Sequence, residues 1–262
     1  MSSDLKPSLE KEHSSPDRQE AVLRMLREQT SASMAEFAAR FGVSEMTIRR
    51  DLRKLSEGGH VILVPGGARL ARHVSFERSF EERLQKMSEA KDKIGRAAAA
   101  LVHEGDAIVV DSGTTTLYVA RHLSHHRNIV VVTFSLAVLE ELRGCDSIRV
   151  ELTGGTYRSS SHDLIGHAVT SSLSEVYAQK VIFGAAAVSV ERGVMVFDPD
   201  AQRSVVKAGA ERILVVDSSK IGAGALYHFT GFENVNLLIT DSGIRPEQLE
   251  RLARVTKVLI AE

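Results

Sequence analysis

Val43-Ser-Glu-Met-Thr-Ile-Arg-Arg-Asp-Leu52 is the stretch from which the rest of the chain is read. At roughly 100° per residue, with Ile48 turned inward, Leu52 and Leu55 fall on the same side of a helix that runs to about Glu57. Met46, Arg50 and Arg53 then face outward, flanked by Thr47, Arg49 and Lys54. Upstream, Ser33-Met-Ala-Glu36 spells a capping box and is followed by an apolar face of Phe37, Ala38 and Phe41. Phe41-Gly-Val43 is a sharp turn in which Gly42 takes positive φ, and Ser44 caps the next helix. A first helix, opened by Ser15-Pro16, carries Val22, Leu23, Met25 and Leu26 at helical spacing to about Gln29. Three helices in this rhythm predict a helix-turn-helix. After Gly58-Gly59, the strand-like His60-Val-Ile-Leu-Val64 is broken by Pro65-Gly-Gly67 ahead of Ala68-Arg-Leu70, which predicts a β-hairpin wing.

That arrangement has a chemical meaning. Ser44, Glu45, Met46 and Thr47 at the start of the third helix, with Arg50, are placed to reach base edges in a major groove, while Arg53 and Lys54 meet phosphates. Arg49 and Ser33 complete the strip on the helices, and Arg69 and Arg72 add phosphate contacts from the wing. A cationic helix face is ordinarily just a solvated surface. Here it lies on the one helix that follows a tight turn and precedes a wing, which favours duplex DNA as the partner.

Charge for such binding has to be local. Lys and Arg number 33 against 34 Asp and Glu, a formal net charge of -1, so the field of the whole molecule supplies no attraction. Apolar and charged fractions of 43% and 26% are those of an ordinary folded protein. At 262 residues, two domains of unequal size are expected. Cys145 is the single cysteine, which excludes an internal disulfide and a cysteine-based zinc finger and favours the reducing cytosol. Residues 1–15 are polar and aperiodic, a disordered tail by composition without the apolar core of a signal peptide. No run approaches the roughly 20 apolar residues a membrane-spanning helix needs. The expected organisation is therefore a tail at 1–15, the winged helix-turn-helix at 16–72, a linker at 73–88 leading into a helix that continues to about Val102, and a second domain at 89–262, in the cytoplasm.

In that second domain, short Val/Ile/Leu-rich segments at about 107–111, 129–133, 149–153, 180–186, 212–217, 237–240 and 256–260 alternate with helical ones. The helices are placed at 115–123, 136–142, 168–177, 200–210 and 246–253, the pattern of a mainly parallel, doubly wound α/β sheet. Ligands bind such sheets where the strands end, and polar clusters stand there. Asp111-Ser-Gly-Thr-Thr-Thr116 opens a helix and offers amides and hydroxyls to an anion, with phosphate the obvious candidate. Thr153-Gly-Gly-Thr-Tyr-Arg158 offers close backbone approach and a guanidinium, and Asp217-Ser-Ser-Lys220 an ammonium. Each alone is ordinary turn chemistry; their convergence on one sheet edge makes them a candidate site.

Val43–Leu52, with Met34-Ala-Glu-Phe-Ala38 before it and Pro65-Gly-Gly-Ala68 after it, closely resembles the signature of the DeoR family of bacterial sugar-metabolism repressors. Residues from about Lys91 to Ile260 resemble the sensor domain of the same family, including Asp111–Thr116, Gly154-Gly155, Asp217–Lys220 and Ile239-Thr-Asp241. The resemblance implies a DNA-binding repressor, a homo-oligomer (dimer or tetramer), released or tuned by a metabolite. It also implies a sensor fold similar to ribose-5-phosphate isomerases, hence a pocket shaped for a sugar phosphate. Carried over by position, and with the strand-end clusters, the effector contacts are Asp111, Ser112, Gly113, Thr114, Thr115, Thr133, Gly154, Gly155, Arg158, Asp217 and Lys220. Phe134, where the family usually has Asn, and Arg203, where an acidic residue is common, are departures expected to alter pocket polarity.

The competing reading is an isomerase carrying a DNA-binding domain, with Asp217 and Lys220 as acid and base. No second carboxylate suited to proton transfer stands out, so no catalytic residue and no cofactor is assigned. His122, His125 and His126 are spaced loosely like metal ligands, but nothing nearby in sequence completes a shell, and no metal is assigned either. His162-Asp163 and His167 are better suited to contacting sugar hydroxyls, and Cys145 is given no role.

Overall fold

The computed structural model describes residues 15–29, 31–57, 61–70 and 79–262. Its contacts divide the chain into two units, Met1–Phe76 and Glu77–Glu262. The tail at 1–14, Gly58-Gly59, Arg72 and the linker as far as residue 78 lie outside the described residues.

In the first unit, α1 (Ser15–Gln29), α2 (Met34–Phe41) and α3 (Glu45–Glu57) pack around Val22, Leu26, Phe37, Ile48, Leu52 and Leu55. The α2–α3 turn forms as its sequence requires. Gly42 sits at φ 64, in the left-handed region, and Val43 N donates to Ala38 O at 3.2 Å. The wing is the antiparallel pair β2 (Val61–Val64) and β3 (Gly67–Leu70), and a short strand not anticipated from the sequence, β1 (Ser31–Ser33), pairs with β3 on its other side. Gly67 permits that third strand, since a Cβ there would lie 2.2 Å from Ala32 O. A buried ion pair ties α1 to α3: Arg18 Nε donates to Asp51 Oδ2 at 2.6 Å, and Gln19 Nε2 to Asp51 Oδ1 at 3.3 Å.

The second unit opens with α4 (Phe80–Gln85) and α5 (Ser88–Ala99). Part of the stretch read as linker is thus a helix, and the expected continuous helix is broken where Met87 takes φ 56. A seven-stranded sheet follows in the order β15-β14-β12-β9-β4-β5-β6, and every pairing is parallel. Its strands are β4 (Ala107–Val110), β5 (Ile129–Thr133), β6 (Ile148–Leu152), β9 (Ala178–Phe183), β12 (Gly209–Val215), β14 (Leu237–Asp241) and β15 (Lys257–Ala261). Alternate residues feed two cores, Val109, Val181, Phe183 and Leu214 on one face, Ile108, Val110, Ile182 and Ile213 on the other. The helices α6 (Thr114–Leu123), α7 (Leu136–Leu142), α8 (His167–Ser174), α9 (Asp200–Lys207) and α10 (Pro246–Ala253) lie between strands in sequence. α9 stops three residues before the expected 210, because strand pairing already begins at Gly209, opposite Ala178. Two small features join the main sheet: a hairpin of β7 (Thr156–Arg158) and β8 (Asp163–Ile165), and a three-stranded sheet of β10 (Ala187–Ser189), β11 (Gly193–Val196) and β13 (Tyr227–Thr230). Among the described residues no helix is long and apolar enough to cross a membrane.

Strands β4 to β6 run outward from the centre in one direction and β9, β12, β14 and β15 in the other, so the winding reverses between β4 and β9. The crevice beyond the carboxyl ends of those two strands is where an open α/β sheet receives a ligand.

Candidate functional site

Asp111 builds this crevice. Its carboxylate, only 1% exposed, accepts from Ser112 N (2.8 Å) at the end of β4 and from Gly184 N (3.1 Å) at the end of β9. The two diverging loops are thereby held at a fixed opening. α6 starts inside it, with Gly113 as N-cap at φ 143 and no side-chain cap, so the first-turn amides of α6 are available to an anion. A cavity forms here, lined by Asp111 to Thr116, Gly184 to Ala186 and Val196 to Asp198, together with Arg83, Arg158, Ser161, Asp163, Gln202 and Lys220.

Three cations therefore line one cavity from three distant parts of the chain. Lys220 ends a 3-10 turn whose start is tied to β14, Ser218 donating from N (2.6 Å) and Oγ (2.9 Å) to the Asp241 carboxylate. Arg158, at the end of β7, donates from Nε to Ser161 Oγ (2.6 Å) and Asp163 Oδ1 (3.0 Å), from Nη2 to Asp163 Oδ2 (2.8 Å) and from Nη1 to Asp198 Oδ2 (2.7 Å). Asp163 is fully buried and also accepts from Ser112 Oγ at 2.9 Å, whereas the Asp198 side chain is 40% exposed. Arg83 comes from α4. Behind them Lys91 is buried, and burial, above all, pushes its ammonium down to about 8; nearby Asp217 opposes the shift, while Lys220, Arg83 and Lys86 add to it.

Of the effector residues expected from sequence, Asp111, Ser112, Gly113, Thr114, Thr115, Arg158 and Lys220 line the cavity, and Thr133, Gly154, Gly155 and Asp217 do not. Thr133 is fully buried and donates to Val110 O at 2.7 Å. The close approach at Gly155 is to the protein's own Ile165 carbonyl, 2.8 Å from where its Cβ would be. Asp217, 2% exposed, caps its own turn by accepting from Ser219 N at 3.1 Å. Phe134 is fully buried in the core and Arg203 is exposed on α9, and neither lines the cavity, so the pocket polarity expected to depend on them is set by other residues. His162 and His167 are likewise absent from its lining, and His122 pairs with Asp92 at 3.0 Å. Arg83, Ser161, Asp198 and Gln202 were missed, although Asp163 had been singled out as a hydroxyl contact.

In the first unit, α3 exposes Met46, Arg49, Arg50, Arg53 and Lys54, with Glu45 beside them and Arg69 exposed on the wing. Ser33 and Ser44 spend their hydroxyls on capping. Ser33 Oγ accepts from Glu36 N (3.2 Å) while its amide holds the Glu36 carboxyl below its ordinary range, and Ser44 Oγ accepts from Thr47 N (3.2 Å).

Two family models match. One, described as the DeoR C terminal sensor domain, matches residues 86–242, and the other, a DeoR-like helix-turn-helix domain, residues 18–74. An uncharacterized HTH-type transcriptional regulator, YgbI, of Escherichia coli K12 is 33% identical over 90% of this chain and 92% of its own length. A putative aga operon transcriptional repressor of Escherichia coli O157:H7 is 31% identical over 94% of each. The glycerol-3-phosphate regulon repressor of Escherichia coli K12 is 29% identical over 86% of this chain and 90% of its own. Among solved structures, ribose 5-phosphate isomerase A from Methanocaldococcus jannaschii matches at 16% identity with a TM-score of 0.39, covering 52% of this chain and 55% of that one, a likeness too distant to carry an argument.

Proposed function

Because the chain belongs to the DeoR family of transcriptional regulators, we propose that it is a cytoplasmic repressor of a carbohydrate-metabolism operon whose grip on operator DNA is set by a small phosphate ester in the second unit. The observation that carries this reading is the convergence of the uncapped start of α6 with Arg83, Arg158 and Lys220 at the reversal of the sheet. Helix amides and three cations suit a doubly ionised oxyanion, while Asp198 and Gln202 suit the hydroxyls of a sugar or polyol. The relative named a glycerol-3-phosphate regulon repressor supports the same ligand class. On the DNA side, Met46, Thr47 and Arg50 read bases, Arg49, Arg53, Lys54 and Arg69 meet phosphates, and homodimers or tetramers present two such helices to operator half-sites.

The isomerase alternative is disfavoured by how the carboxylates are used. A general base has to reach the proton it removes. Asp217 is not among the cavity residues, and Asp111 and Asp163 are buried and committed to amides and to Arg158. The reading is tested with fluorescence anisotropy on the DNA upstream of the gene, with a panel of sugar and polyol phosphates. Arg50→Ala should lose DNA affinity while retaining ligand-induced thermal stabilisation, and Lys220→Ala should keep DNA affinity and lose the ligand response. Equal loss of DNA binding in both variants refutes the division of labour, and conversion of pentose or hexose phosphates at enzyme-like rates would establish the isomerase instead.

A further inference from the structure

Helix α4 is the first element of the second unit, directly after residues 71–78, and it is fastened at both ends to groups around the cavity. At its start the His162 ring stacks on Phe80, with centroids 5.0 Å apart and planes at 12°, and His162 Nε2 pairs with Glu81 Oε1 at 2.9 Å. At its end Lys91, 2% exposed, donates Nζ to the carbonyls of Arg83 and Lys86, the latter at 2.6 Å. Between these fastenings Arg83 lines the cavity. The loop that clamps α4 also builds the cavity wall, since Ser161 and Asp163 on either side of His162 hold Arg158.

The backbone marks the same two places. Among the described residues the non-glycine positions with positive φ are Met87, Asn128 and His162. Met87 (φ 56) follows α4 and His162 (φ 53) clamps its start. Side-chain-bearing residues enter this region at a cost and stay only where surrounding contacts hold them, an arrangement that recurs at switch elements.

We propose that α4 is the element that registers occupancy of the cavity: a bound anion accepts from Arg83, adds a third fastening to the helix, and so holds the segment leading from the DNA-binding unit more firmly. This rests on the reading of the cavity as an anion-binding effector site. Arg83 is then both a ligand contact and the coupling residue, and His162 and Lys91 are positioning residues that set how firmly α4 is docked before ligand arrives. Because the ligand touches α4 only through Arg83, binding and coupling become separable.

Hydrogen exchange on the full chain, with inorganic phosphate as probe against chloride at equal ionic strength, tests this. Phosphate should slow amides in 112–117 and also those in 80–86, the latter by about tenfold, a coupling of ~1.4 kcal/mol. In Arg83→Gln, compared at phosphate concentrations that protect 112–117 equally, slowing at 80–86 should vanish, and Arg83→Lys should restore part of it. His162→Ala should speed exchange at 80–86 without phosphate. Protection of 112–117 with none at 80–86 in the native chain overturns the coupling role and leaves the site standing, as does α4 protection that survives Arg83→Gln. Protection at neither place removes the anion site and this inference together.

Discussion

The Arg18–Asp51 pair fixes the angle at which α3 is presented, and removing one partner should cost the first unit much of its stability. The side chains are 10% and 1% exposed and the contact is 2.6 Å, so neither charge is well hydrated. Arg18→Met leaves the Asp51 carboxylate buried opposite a methyl group, with Gln19 as a poor substitute for the cation. Breaking a buried pair in this way costs about 3–5 kcal/mol. A domain of this size shifts by about 4–8 °C per kcal/mol, so even the lower figure lowers its melting by roughly 12–24 °C. The double variant Arg18→Met/Asp51→Leu removes the stranded charge as well and should recover most of the loss. Differential scanning calorimetry of the full chain should show the low-temperature transition moving and the transition of the second unit staying. Operator affinity should fall in the single variant and return in the double. A single variant within about 0.5 kcal/mol of the parent, or a double no better than the single, would refute the claim that this pair orients the reading helix.

Gly67→Ala should destabilise the wing, because its Cβ would sit 2.2 Å from Ala32 O, and should weaken operator binding without altering ligand-induced protection at 112–117. Gly95→Ala should do the converse, lowering the melting of the second unit, since its Cβ would meet the Tyr118 backbone at 2.6 Å where α5 crosses α6. The Lys91 ammonium, lowered to about 8 from 10.5, makes the unfolded chain bind more protons between those values, so this residue's contribution to stability rises with pH across that window. Chemical denaturation of native chain and Lys91→Gln should therefore show their difference growing from pH 8 to 10, and a constant difference would contradict the burial assigned to it. Asp198→Asn removes an acceptor that competes for Arg158; with the Asp198 side chain 40% exposed the pair contributes at most about 1 kcal/mol, so phosphate affinity by calorimetric titration should rise a few-fold and not fall.

What was legible in the sequence was what local geometry decides. The period of Ile48, Leu52 and Leu55, the glycine at 42 and the capping box at 33–36 each act within one or two turns, and all appear as expected. The seven strands of the main sheet announced themselves because a buried parallel sheet needs near-continuous Val and Ile. The loop at 111–116 was legible because strand, glycine, threonines and helix are contiguous. Arg83, Asp198 and Gln202 were not, because they reach the cavity from a short helix and from the region between β11 and α9, each far from Asp111 in sequence. β1 escaped notice for a similar reason: three residues have no period of their own, and β3 makes them a strand. Gly154-Gly155 misled in the opposite direction. A glycine pair after a strand looks the same whether a ligand or, as at Gly155, the chain's own Ile165 takes the space.

The cavity is electrostatically closed on itself before any ligand arrives, and this bears on how it works. Arg158 holds Asp163 and Asp198, but the two carboxylates are unequal: Asp163 is fully buried and has further donors in Ser112 and Ser161, whereas Asp198 is partly hydrated. An incoming anion therefore displaces Asp198, which water can accommodate, and leaves Asp163 in place as the hinge about which the guanidinium re-pairs. Charge-assisted bonds of this kind are worth about 1.5–3 kcal/mol, and a hundredfold change in DNA occupancy needs only ~2.7 kcal/mol of coupling. One exchanged partner at Arg158 and one gained at Arg83 thus supply a switch of the required size without rearranging the sheet that carries them.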